Sequence, residues 1–151
     1  MTTPLSRPAQ DVAVLADALR PALLRLSRQL RREAQHLGLS PLDAMLLGGV
    51  KKHDGIGVSE LADHEQMSRP TMSAHVKRLE AAGWIARLAP ASDDKRRVGL
   101  TLTAAGAKAL DAVRRRRNDW LAQRLQTLSP AAREALAAAI GPLGQIAGDR
   151  P

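Results

Sequence analysis

The chain has 151 residues, enough for one domain with its own core or for a small lobe plus helices that pair with a second copy. Lys and Arg outnumber Asp and Glu by 23 to 15, a formal charge of +8. Such a field attracts polyanions: nucleic acid foremost, with an anionic membrane surface or an acidic protein drawn by the same force. The absence of cysteine excludes disulfides, thiol redox sensing and cysteinyl zinc sites, and two Trp with no Phe or Tyr leave too few platforms for stacking single-stranded bases.

The first residues lack a basic stretch followed by a continuous apolar core, and no apolar run reaches the roughly 18 residues of a membrane span, so a cytoplasmic protein is expected. Leu15, Leu19, Leu23, Leu26 and Leu30 recur at the spacing of one face of a helix of roughly 20 residues, with Arg20, Arg28, Arg31 and Arg32 on its other side. Pro21 is expected to kink this helix or delay its start, and Gly38 to end it. A second helix is expected from Ser40 as N-cap, with Pro41 at its first position and Asp43 in its first turn, to about Lys52. The loop His53-Asp54-Gly55-Ile56-Gly57 follows.

From Val58 to Thr103 the pattern is two short helices and then two strand-like runs around a charged turn. Ser59 is expected to cap a helix from Glu60 to about Glu65 with Leu61 and Ala62 inward, and Gln66-Met67-Ser68 to form a turn. Ser68 caps the next helix, with Arg69 and Pro70 in its first turn, where a missing N–H costs nothing. Met72, Val76 and Leu79 fall on one stripe of this helix. At about 100° per residue the opposite face is Pro70, Ala74, Lys77 and Ala81, flanked by Thr71, Ser73 and Arg78.

Small and hydroxylated residues with cations at the far end suit a helix entering a duplex major groove, with its N-terminal residues at the base edges. Arg69, Thr71 and Ser73 are candidates for bases or nearby phosphates, Lys77 and Arg78 for phosphate, and His75 for packing. Gly83 is expected to stop the helix in a left-handed cap. Trp84 to Leu88 and Val98 to Leu102 read as an antiparallel hairpin, Trp84 being core at its base. Its tip carries Asp94, Lys95, Arg96 and Arg97, cations placed to reach a flanking minor groove, with Asp94 orienting Arg96.

Beyond Thr103, an N-cap, a long helical pattern runs through Leu110, Val113, Trp120 or Leu121, Leu125 and Leu128. Ser129-Pro130 opens a last, Ala-rich helix from about Ala131 to Ile146, with a bend expected at Gly141-Pro142. The fold expected is therefore mainly α with a small β-hairpin wing: a winged helix-turn-helix at 39–103, a dimerisation helix at 1–38 and C-terminal dimerisation helices at 104–151. The outer helices have apolar faces and little sheet to cover them, so a homodimer is expected, a monomeric bundle being the alternative.

The segments SELADHEQMSRPTMSAHVKRLEAAGWI and DDKRRVGLTLTAAG, with Asp94-Lys95-Arg96 and the closing Leu102-Thr103, resemble the MarR (multiple antibiotic resistance regulator) family of transcriptional regulators. The likeness extends through RLSRQLRREAQHLGLSP and, more loosely, LSPAAREALAAAIGPL, so it covers nearly the whole chain. The resemblance implies a triangular homodimer that binds a pseudopalindromic operator on double-stranded DNA, usually represses, and is released by a small, often aromatic anion bound between dimer interface and winged lobe. It implies Ser68 through Ala74, Lys77 and Arg78 as the recognition positions and Arg96 as the wing arginine. The chain departs from the family at Ala74, where some relatives carry a base-reading arginine, and at Gln66, where many carry glycine in the turn.

An enzyme is not expected: no glycine-rich phosphate loop, nucleophile elbow or apolar carboxylate pair is present. No cofactor is implied, and His36, His53, His64 and His75 form no close helical pair, so no metal site is expected. Arg114-Arg115-Arg116-Arg117 wraps more than a helical turn and reads as solvated and salt-bridged, with accessory DNA contact as the weaker reading. The rival function is a winged-helix protein-interaction adaptor, or a nonspecific DNA-binding protein without effector control.

Overall fold

Side-chain caps mark most of the helix starts. The computed structural model describes residues 11–89 and 98–148, and in these Asp11 accepts from the N–H of Ala13 to open α1 (Val12–Gln35) and Ser40 from that of Asp43 to open α2 (Pro41–Lys52). Ser68 does the same for α4 (Arg69–Ala81), Thr103 for α5 (Ala104–Gln126) and Ser129 for α6 (Pro130–Ala147). Pro at the start of α2, α4 and α6 removes only N–H groups that have no helical partner.

The short α3 (Val58–His64) departs from expectation. Its N-cap is Gly57, without a side-chain bond, and Ser59 lies inside the first turn. The reason is the preceding loop: Ile56 is bridged to Leu100, and the chain turns into helix directly from that bridge, the Leu61 N–H already reaching the Gly57 carbonyl.

Pro21 does not delay α1, which runs through it from Val12. The carbonyl left without its helical donor belongs to Asp17, on a stretch exposed to water. Likewise α6 continues past Gly141-Pro142 to Ala147.

The core gathers around α2. Leu46, Leu47 and Val50 meet Leu61 and Ala62 of α3, Met72, Val76 and Leu79 of α4, and Val113 of α5. The hairpin β1 (Ile85–Arg87) and β2 (Leu100–Leu102) is antiparallel with Ile85 opposite Leu102, and adds Ile85 and Leu100. Its base is pinned on the other edge by Ile56, and Trp84 packs half-buried against the core as expected. Gly83, at φ 78°, provides the left-handed residue after α4. Among the described residues no helix is long and apolar enough to cross a membrane.

Candidate nucleic-acid interface

The site is built on α4 and the turn before it. Gln66 has φ 52°, the left-handed conformation expected where relatives favour glycine, and is the sole non-glycine residue with positive φ among those described. That turn delivers Ser68 to the start of α4, where its Oγ accepts from the Thr71 N–H at 3.3 Å and lies 2.7 Å from the Thr71 hydroxyl. The two hydroxyls thus organise one another at the end of the helix that carries partial positive charge.

The predicted stripe of Met72, Val76 and Leu79 is buried. Pro70, Thr71, Ala74 and Lys77 are exposed on the other side, with Ser73 half-buried beside them, and Arg69 is exposed at the first position of α4. Pro70, Thr71, Ser73, Ala74 and Lys77 thus share one accessible side of α4, and Arg69 stands at its N-terminal end. Asp94, Lys95, Arg96 and Arg97 lie outside the described residues.

Arg78 is turned elsewhere. Its Nη1 donates to Asp43 Oδ2 at 3.1 Å and its Nη2 to Asp43 Oδ1, a bidentate pair between α4 and the first turn of α2. The guanidinium remains about half exposed, but Asp43 is 5% exposed, the one buried charged residue among those described. Burial pushes the Asp43 carboxyl up, yet hydrogen bonds from Arg78 and Ser40 and the charge of Arg78 outweigh it and hold the acid below its ordinary value. The same hydrogen bond raises Arg78, against a smaller opposing effect of burial.

On the other side of α2 lies an open cavity of about 930 Å³. Leu23, Leu26 and Leu30 of α1 and Leu42 and Met45 of α2 supply its apolar walls, and Arg31 and Arg117 its cations. Trp120 does not line it; its ring carries the Arg124 guanidinium at 4.5 Å instead. Arg117 donates from Nε to the Leu30 carbonyl at 3.0 Å and has no carboxylate partner among the described residues. Burial, and then the like charge of Arg31, lowers its pKa.

Of the arginine run, Arg116 pairs with Glu33 at 3.0 Å, Arg117 reaches α1 as described, and Arg114 and Arg115 are exposed. His53 and His64 stack with ring centroids 4.7 Å apart, and no group of three His, Cys, Asp or Glu among the described residues could hold a metal.

Sequence reasoning missed the Asp43–Arg78 pair and the Ile56 bridge. Asp43 carried the signal of an ordinary first-turn acid, and nothing in the local pattern points 35 residues ahead.

Residues 37–97 match the model of the MarR family. A helix-turn-helix-type transcriptional regulator of Mycobacterium bovis is 35% identical over 129 residues, covering 84% of this chain and 88% of the relative. A relative of the same description from Mycobacterium leprae is 34% identical over 126 residues, covering 82% and 86%. Among solved structures, a transcriptional regulator protein of Pseudomonas aeruginosa superposes with a TM-score of 0.78 at 31% identity, covering 95% of this chain and 99% of that one. A Staphylococcus aureus MepR variant bound to an oligodeoxyribonucleotide has a TM-score of 0.67 at 22% identity, covering 85% and 94%, a likeness of fold.

Proposed function

The chain belongs to the MarR family of DNA-binding transcriptional regulators, and from that premise we propose that it reads a specific pseudopalindromic operator as a homodimer. The observation that carries this reading is the exposed face of α4, where Pro70, Thr71 and Ala74 leave room for close approach to base edges, with Arg69 exposed at the helix start. Lys77 contacts phosphate one turn further along, and the wing residues Asp94, Lys95, Arg96 and Arg97 reach the flanking groove.

In this reading α1, within 1–38, and α5 and α6, within 104–151, form the dimer, and 39–103 forms the DNA lobe. What supports it is the apolar surface left open: Val12, Val14, Leu15 and Leu24 on α1 and Leu136, Ile140 and Ile146 on α6 are exposed, and α6 buries none of its residues.

The regulator represses and is released by a small anionic or aromatic effector. The cavity beside α2 supports this part, because the partly desolvated Arg117 and the exposed Arg31 bring like charges together beside apolar walls, a setting an anion with an apolar body would neutralise.

Selection of bound sequences from a random duplex pool tests the core of the proposal. A pair of inverted half-sites about one helical turn, roughly 34 Å, apart is expected. Enrichment of no sequence would favour instead a protein-interaction adaptor or a nonspecific DNA-binding protein. A reporter gene behind the selected operator, with and without this protein, distinguishes repression from activation.

A further inference from the structure

We propose that Arg78 serves recognition without contacting DNA: its bidentate pair with Asp43 fixes the roll of α4 on α2 and so determines which side chains of α4 meet the bases. This rests on the operator-binding reading above.

The stripe Met72, Val76 and Leu79 buries one side of α4, but apolar packing is weakly directional and tolerates a helix turning by a few degrees. A planar guanidinium held by both oxygens of a carboxylate does not; its two parallel bonds specify distance and plane together. The carboxylate is itself fixed, because Asp43 is buried and its backbone N–H is capped by Ser40 Oγ at 3.0 Å. A second bracing contact runs from Arg78 Nη2 to His75 Nδ1 at 3.4 Å, one turn back on the same helix.

The pair also removes Arg78 from the pool of cations that pull on phosphate. Its positive charge is matched by a carboxylate in direct contact, so an approaching phosphate meets an ion pair of no net charge. Any competitor for the guanidinium must replace a partner that is already desolvated and in register.

Asp43→Asn separates the two roles by sign, since Asp43 is buried and cannot itself meet DNA. If Arg78 gripped phosphate, neutralising its carboxylate would release the guanidinium and tighten binding. If Arg78 positions α4, Asp43→Asn lowers the preference for the selected operator over a scrambled duplex by about tenfold, with the salt slope unchanged. Adding Arg78→Gln to Asp43→Asn then costs little more, because both changes break the same contact.

The measurements are operator and scrambled-duplex affinities across a salt series, taken well below the thermal unfolding midpoint of each variant. Three results overturn the proposal: tighter binding by Asp43→Asn, a further loss of about one counterion per subunit in the double variant, or a lowered unfolding midpoint with the operator preference intact. The wild-type protein, run alongside, keeps the two levels apart. Its failure to prefer any operator would overturn the operator-binding reading itself, whatever the variants did.

Discussion

Gly106, in the first turn of α5, lies directly against the backbone of Trp84, so close that a Cβ at position 106 would run into the Trp84 carbonyl. The carbonyl is already engaged there, accepting from the Thr103 N–H at 3.1 Å. This contact joins the start of α5 to the residue that leads into β1. Gly106→Ala gains up to about 1 kcal/mol of helix propensity, but the obstacle is backbone and cannot swing aside, so overpacking outweighs it and a net loss of about 2 kcal/mol is expected. Gly48→Ala on α2 is the contrast, because nothing lies within 4 Å of its added Cβ. Urea midpoints should fall for the first and hold or rise for the second; a Gly106 variant as stable as the parent would refute the clash.

Stability in acid should report the Asp43–Arg78 pair. The folded-state pKa of Asp43 lies below its ordinary value of 3.8, so its contribution is fully present well above 3.8 and is lost as pH falls through the lower folded value. Arg78 stays protonated throughout this window. Asp43→Asn is therefore expected to cost about 1–2 kcal/mol at pH 7, modest because Arg78 is half exposed, and less than that near pH 3. Denaturant titrations at the two pH values check this, and an equal difference at both would show that the ion pair is not what the substitution removed.

Phosphate and base contacts separate by salt and by sequence. Lys77→Ala is expected to weaken all duplexes alike and to flatten the salt dependence by about one counterion per subunit. Arg96→Ala is expected to behave in the same way. Thr71→Ala or Arg69→Ala should instead change which operator is selected, because both residues stand exposed in the first turn of α4, the end proposed to meet the bases. Recovery of the parent operator by both variants would remove them from the base-reading set.

Much of this site was legible before the structure because it depends on local rules. A serine three residues before the N–H it caps, a proline at a helix start and a four-then-three apolar spacing each act over a few residues, and Ser68, Pro70 and the Met72–Val76–Leu79 stripe stand where the pattern puts them. The failures were contests between local and distant terms. Ser59 has the chemistry of a cap, but Ile56 pairing with Leu100 decides where α3 begins. Arg78 looks like one more cation on an exposed face, and only the packing of α2 against α4 brings a buried carboxylate to it. Periodicity reports which face of a helix is buried; it does not report the partner.

The apolar surface of α6 gives the last test. Leu136 and Ile140 are one turn apart and 47% and 71% exposed, and Ile146 is 74% exposed, on a helix with no buried residue. Covering one such side chain in a dimer contributes about 1.5–3 kcal/mol, and placing a carboxylate there adds a desolvation penalty. Ile140→Glu is thus expected to weaken self-association by at least about tenfold, while the helical content seen by circular dichroism stays that of the parent, since the site lies outside the chain's own core. Operator affinity should fall much further than half-site affinity, because a dimer joins two recognition helices and makes the second contact intramolecular. Sedimentation equilibrium at micromolar concentration decides it: a parent protein that is itself monomeric, or an Ile140 variant that dimerises as well as the parent, would take α6 out of the interface.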